Sequence, residues 1–243
     1  MSRDRARTAS SERSRSSGSD RAPKPERSKT GRSRAEEKSR TRRALLDGAL
    51  DLLETRSIDN LGIREVTRAA GVAPAAFYRH FDRIDDLGLV LVDEAFASLR
   101  ELMRTARRAP GAGDVIDDSV AVLFDHIHEH PAHYRFIARE RFSAVLAVRL
   151  AIRRELRLFA TELATDLARL PGVSAWPTED LIMLAELIVD LMVNTAERLL
   201  EVLDEEPGRE AAVQAETERR LRYLALGATA WRPDLRDRPT PER

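Results

Sequence analysis

The chain has 243 residues, with 41 Lys/Arg balanced by 41 Asp/Glu and no cysteine. That length can bury one large or two modest cores, and the lack of cysteine excludes disulfides and thiolate chemistry, which suits a reducing compartment. No leader pattern opens the chain. Its densest apolar run, Leu181 to Val193, contains Glu186 and Asp190 and is shorter than the roughly 20 residues a membrane span needs, so a soluble, cytoplasmic protein without a membrane partner is expected.

The zero net charge conceals a segregation. Residues 1–43 carry a net +9, residues 44–84 a net −1, and the remainder −8. Residues 1–38 are rich in Ser, Arg and Pro, hold all three lysines (Lys24, Lys29 and Lys38), and almost lack branched or aromatic side chains. Such a segment buries too little to offset chain entropy, so it is expected to be a disordered basic arm. It would serve as a tether to DNA phosphates or simply as a solubilising tail.

From Arg40 the pattern turns helical. Leu45, Leu46, Ala49, Leu50 and Leu53 make an apolar stripe, with Thr41, Arg42 and Arg43 expected in its first turn, where an approaching phosphate would be rewarded. Arg56 to Asn60 is read as a polar break. Ile63, Val66, Ala69 and Ala70 give a second short amphipathic helix that ends at Gly71, and the chain restarts at Pro74. Gly tolerates the positive φ that closes a helix, and Pro at the first helical position loses only an N–H that would be unpaired anyway. Phe77 and Phe81 share one face, which leaves Ala75 and Arg79 opposite and Ala76, Tyr78 and His80 on the flanks. Arg can bond guanine O6 and N7, Ala can meet a thymine methyl, and Tyr or His can bond phosphate, so this face suits the major groove. A short solvated surface helix is the bland alternative.

These residues also carry a resemblance. Leu61-Gly62-Ile63-Arg64-Glu65-Val66, Ala70-Gly71-Val72 and Phe77-Tyr78-Arg79-His80-Phe81, in that order, resemble the N-terminal domain of TetR-type transcriptional repressors. TRRALL near Thr41, APAAFYRHF, DLGLVLVDE at Asp86 to Glu94, RERFS at Arg139 to Ser143 and LGATAW at Leu226 to Trp231 are similar to the FabR/DesT-like subgroup, which represses unsaturated fatty-acid synthesis and desaturation. The resemblance runs from about Thr41 to Trp231. It implies an operator-contacting set of Thr41, Arg43, Arg64, Ala75, Ala76, Tyr78, Arg79 and His80. It also implies a near-palindromic double-stranded operator and an effector that is a long-chain fatty acyl thioester, acyl-CoA or acyl carrier protein. Four positions depart from the pattern. Ala75 and Ala76 replace Thr and Ser, Gly62 replaces a Ser/Thr cap, and Ile84 stands where most TetR-type proteins have Lys.

Asp85 to about Arg107 reads as one connector helix, followed by the break Ala109–Gly113. Val115 to His130 is helical until Pro131 ends or kinks it, and Ser143 to Leu170 carries a long apolar stripe. Thr178 is placed to cap a helix of about 179–204 that is apolar nearly all round. A last helix, about 209–231, presents Leu221, Leu224, Ala225, Ala228 and Trp231 on one face. Two such helices would leave apolar surface exposed in a monomer, so a homodimer through them is expected.

The expected fold is thus all-α with about nine helices: a helix-turn-helix domain at 39–84, a ligand-binding and dimerisation domain at 85–232, and a flexible tail at 233–243. Apolar character alone nominates Phe124, Ile127, Phe136, Phe142, Leu146, Leu187 and Met192 as pocket wall. The RERFS segment nominates Arg139 and Arg141, around Glu140, as anchors for a polar head, against the plainer reading of a charged helix surface. His126, His128, His130 and His133 cluster, but without HExxH spacing they are read as a solvated or core-edge group rather than a metal site. Phosphate loops, GxSxG and paired catalytic carboxylates are absent, so no cofactor and no enzymatic activity are expected. The alternatives are a regulator of the same fold for efflux or catabolic genes and, more remotely, an architectural DNA binder or an enzyme.

Overall fold

In a computed structural model, backbone is described for residues 27–108 and 115–231, and side chains for 34–103 and 115–231. Contacts divide the chain into a unit of Met1–Lys38 and a unit of Ser39–Arg243. The described residues are all-helical, with nine α-helices, one 3-10 turn and no strand. None of these helices is long and apolar enough to cross a membrane. The expected tail at 233–243 and most of the basic arm lie outside the described residues.

α1 spans Arg27–Leu53. It therefore starts before the expected end of the arm at 38, because Ala35-Glu36-Glu37-Lys38 are good helix formers and nothing before Thr41 breaks them. This corrects the expected position of Thr41 and Arg43, which sit in mid-helix and gain nothing from a helix terminus. In the larger unit, Leu45, Leu46, Ala49, Leu50 and Leu53 are buried as the stripe requires. The segment Arg56–Asn60 is more than a polar break. It holds the 3-10 turn Ile58–Asn60, and Ile58 is 1% exposed.

α2 (Ile63–Ala69) and α3 (Pro74–Phe77) form the helix-turn-helix around Gly71, whose φ is 66°. Gly62 has no side chain with which to cap α2, but Glu65 reaches back and accepts its N–H at 3.1 Å. α4 (Ile84–Arg108) opens with Asp85 and Asp86, and Asp86 accepts the Arg83 N–H at 3.0 Å. One core joins these elements. Val66, Phe77 and Phe81 pack in the same cluster as Leu87, Leu91 and Phe96 of α4 and, farther along the chain, Phe136, Val148 and Ile152.

α5 is Val115–Glu129, α6 Pro131–Glu140, α7 Leu146–Leu167, α8 Thr178–Glu205 and α9 Glu210–Ala230. Pro131 begins a separate helix rather than kinking α5, since it occupies the first-turn position where its missing N–H costs nothing. Thr178 is likewise the first residue of α8 and makes no side-chain cap, with Pro177 in the cap position. A second core joins α5, α8 and α9 through Phe124, Ile127, Leu199 and Leu221, and a third joins α7 to α8.

Candidate DNA-reading face and ligand cavity

The α2–turn–α3 segment is positioned by close backbone approach. A Cβ on Gly48 of α1 would stand 2.9 Å from the Ala70 nitrogen, so α1 crosses the end of α2 at a distance only glycine permits. Phe77 is fully buried and meets Phe81 at 5.6 Å between ring centroids, which fixes α3 on its inner side. α3 is shorter than the expected helix: it ends at Phe77, and Tyr78, Arg79 and His80 continue it as a turn. Its helical course persists through bonds from Arg79 N–H to the Ala76 carbonyl at 3.2 Å and from Phe81 N–H to the Phe77 carbonyl at 3.0 Å.

The expected contact residues divide by accessibility. Ala75, Tyr78 and Arg79 are exposed, Tyr78 by 61%, while Ala76 and His80 are half-buried beside them. Arg64 is exposed on α2. Among the described residues neither Arg64 nor Arg79 forms an ion pair, so both guanidiniums are available to an outside acceptor. Arg43 is already engaged, with Asp47 at 2.8 Å and Glu94 at 3.1 Å. The hydrogen bond it donates to Asp47, with help from Glu94, raises its pKa above the ordinary arginine value. Thr41 is half-buried on α1.

Inside the larger part, α4 to α9 enclose an apolar cavity of about 840 Å³, which is ample for a drug-sized or lipid-sized molecule. Of the expected wall residues, Met192 lines it. Phe124, Ile127 and Phe136 are buried in the adjoining cores, whereas Phe142, Leu146 and Leu187 are exposed. The face of α9 expected at a partner, Leu221, Leu224, Ala225 and Ala228, lines the cavity instead. Apolarity alone could not separate wall from core or from outer face, because all three are apolar.

Arg139, Glu140 and Arg141 do not line the cavity. Arg139 donates to the carbonyls of Leu53 and Arg56 at 2.9 Å and of Glu54 at 3.0 Å, which lie at and just beyond the C-terminus of α1 where no helical N–H follows to meet them. Glu140 is fully buried and accepts the Ile58 N–H at 2.9 Å. Arg141 pairs with Glu197 of α8 at 2.9 Å and lies 4.5 Å over the Phe142 ring. Two residues of RERFS thus fasten the reading unit to α6.

Three of the four histidines clustered in the sequence, His126, His130 and His133, do line the cavity, together with Ser98, Ser119, Tyr134, Asp166 and Thr229. His126 is 6% exposed; its Nε2 shares a hydrogen bond with Ser98 Oγ of α4 at 2.8 Å, and its Nδ1 with the Tyr134 hydroxyl at 2.9 Å. The His130 ring is tilted 56° to that of His126 with the centroids 4.6 Å apart, and His133 lies edge-on to His130 at 6.0 Å. Burial, then the neighbouring His130, holds both His126 and His133 below the usual imidazole value, and burial pushes the Tyr134 phenol up. Among the described residues no group of three or more metal-ligating side chains is arranged to hold a metal. The i, i+4, i+7 spacing of His126, His130 and His133 was the signal available in the sequence.

Residues 45–89 match the family model of bacterial regulatory proteins, tetR family. The fold is similar to that of a fatty acid degradation regulator, FadR, from Bacillus halodurans, with TM-score 0.60 and 13% identity over 73% of this chain and 94% of that one. It is also similar to a putative transcriptional regulator from Pseudomonas aeruginosa PAO1, with TM-score 0.62 and 16% identity over 78% and 92% of the two chains. A third similar structure is the multidrug binding protein EbrR, with TM-score 0.51 and 17% identity over 73% and 93%. The fold is thus all-helical with an N-terminal helix-turn-helix, and that helix-turn-helix lies within the residues that match the tetR family model.

Proposed function

We propose that this chain is a homodimeric repressor whose operator affinity is set by a long-chain fatty acyl compound held in the α4–α9 cavity, and that it acts on genes of fatty-acid synthesis or desaturation. The observation that supports this reading best is the double attachment of the cavity to the reading unit. α4 runs from Ile84, beside Phe81, to Ser98 on the cavity wall, a rise of about 21 Å. α6 carries His133, Tyr134 and Ile137 on the wall and Arg139 and Glu140 on the ends of α1 and the 3-10 turn. Two recognition segments would meet half-sites about 34–36 Å apart. An effector favouring one spacing shifts occupancy by its differential affinity, and about 5.5 kcal/mol moves a 1:99 balance to 99:1.

The subgroup resemblance and the structural likeness to a fatty acid degradation regulator both point toward acyl chemistry. The likeness to a multidrug binding protein favours a second reading, an efflux-type regulator with an unrelated apolar effector. Fluorescence anisotropy with a labelled fragment of the chain's own promoter, titrated with acyl compounds of increasing length, tests the choice. Each buried methylene contributes about 0.8 kcal/mol, so cavity affinity should rise about fourfold per carbon until the space is filled. Operator affinity that is indifferent to every acyl chain would reject the acyl reading.

A further inference from the structure

We infer that the head-group site of the cavity is the cluster of His126, His130, His133, Tyr134 and Ser98, and that it takes a free carboxylate, so that the effector is a long-chain carboxylic acid rather than its thioester. This rests on the preceding reading of the cavity as an acyl-chain site and specifies the chemistry at one end of it.

Three observations carry the assignment. The five side chains all reach the same cavity, whose remaining wall is mostly aliphatic and aromatic, so a ligand has its hydrogen-bonding end fixed there. They offer three imidazoles, a phenol and a hydroxyl, and every one of these groups can donate to a carboxylate oxygen. Among the described lining residues there is no Lys or Arg, the only carboxylate is Asp166, and outside the cluster the only hydroxyls are those of Ser119 and Thr229, so no fixed cation elsewhere on the wall would meet an anionic head or the phosphates of a coenzyme. A thioester carbonyl is a weak acceptor and would compete poorly with the hydrogen bonds that His126 already makes to Ser98 and Tyr134.

A carboxylate entering this cluster competes for the hydrogen bond between His126 and Ser98, the one that ties the cluster to α4. The same event draws a proton onto the imidazoles. The titratable groups near them are Glu129 and His130 beside His126, Arg43 and Asp47 of α1 near His133, Tyr134 on α6, and Asp166 of α7 across the cavity. Burial disfavours the charged imidazole in the empty cavity, so the carboxylate brings the counter-charge that the site lacks.

The test compares hexadecanoic acid, hexadecan-1-ol, methyl hexadecanoate and hexadecanoyl-CoA on the full chain by calorimetry or tryptophan fluorescence. The acid should bind about tenfold or more tighter than the alcohol and the ester, the span of a charge-assisted hydrogen bond. Its affinity should rise from pH 8 to pH 6 while that of the ester stays level. H126F should bring acid and ester to within about threefold of each other, and Y134F should narrow the gap without removing the phenyl ring that packs there. Ester binding retained by either variant shows that the cavity is intact. Equal binding of acid, alcohol and ester, or a coenzyme thioester tighter than the acid, overturns the carboxylate assignment and leaves the acyl reading standing. Binding of none of the four overturns both.

Discussion

At the scale of single residues, the reading face and the packing beneath it make different demands. Arg79 is exposed and unpaired among the described residues, so its guanidinium is the side chain most ready to fork onto a guanine. Arg79→Ala should weaken operator binding by about 1–3 kcal/mol and relax preference at one base position, measured by anisotropy on an operator and its single-base variants. Unchanged preference would show that Arg79 meets phosphate only. Beneath the face, the glycines are constrained by their neighbours. Gly48→Ala forces Cβ against the Ala70 nitrogen, which is backbone and cannot yield. Gly88→Ala meets the Ile58 Cδ1 tip at 2.2 Å, and a side-chain tip can rotate. Alanine's gain in helix propensity, about 1 kcal/mol, offsets part of each clash. Gly48→Ala should therefore destabilise by about 1–3 kcal/mol in denaturant melts and Gly88→Ala by less. Histidine titration adds a pH dependence. His126 and His133 lie below their unfolded value of about 6.5, so the unfolded chain takes up protons that the folded chain refuses. Stability of the unliganded protein should therefore be highest above about pH 7 and fall as pH drops through 6.5, and H126F should flatten that fall in thermal melts.

At the scale of elements, α6 is where sequence and structure part most instructively. The long helices were legible because their apolar residues recur at helical spacing: α4, α5, α7, α8 and α9 lie within a few residues of the expected spans. The turn at Gly71 and the burial of Phe77 and Phe81 were legible for the same kind of local reason. α6 was not, because its roles are non-local. Arg139 and Glu140 look like surface charge in RERFS, and only the fold brings them to carbonyls and an N–H more than 80 residues away. The histidines show no role in the sequence because the hydrogen bonds of His126 to Ser98 and Tyr134 depend on α4 and α6 lying beside α5. α6 thus joins cavity wall to reading unit. Glu140→Ala leaves the buried Ile58 N–H without its acceptor and should cost about 1–3 kcal/mol of stability. Arg139→Ala, at an exposed position, should leave the fold and the affinity for ligand nearly intact. It should, however, reduce the factor by which ligand changes operator affinity. Ligand titrations with and without operator measure that factor directly, because the coupling between two sites is reciprocal. A variant with undiminished coupling would show that α6 does not transmit the signal and would leave that role to α4.

At the scale of the whole molecule, what has to be explained is the outer surface of α8 and α9. With Leu221 and Leu224 turned to the cavity, the opposite side of α9 still exposes Tyr223 by 68% and Leu226 by 64%, and α8 exposes Met183 by 45% and Leu187 by 48%. Met183, Leu187, Asp190 and Asn194 follow one another on one side of α8, with Ala215, Tyr223, Leu226 and Ala230 along one side of α9. An apolar surface rimmed by polar residues suits a second copy of the chain, packed as a four-helix arrangement. The excess of acid beyond residue 84 makes the rest of that body a poor partner for DNA, so in the proposed dimer much of the affinity would come from two reading units bound at once. Joining two half-site contacts in one particle gains about 10²–10⁴ in affinity without any new contact. The double variant Leu187→Glu with Leu226→Glu places carboxylates on both helices of the proposed interface and should yield a monomer in sedimentation velocity. Its helical content should be unchanged, because both positions are exposed in the single chain. Its affinity for the full operator should fall at least about a hundredfold, toward that for an isolated half-site. A double variant that stays dimeric would move the interface away from α8 and α9. One that is monomeric yet binds the operator undiminished would show that a single reading unit suffices.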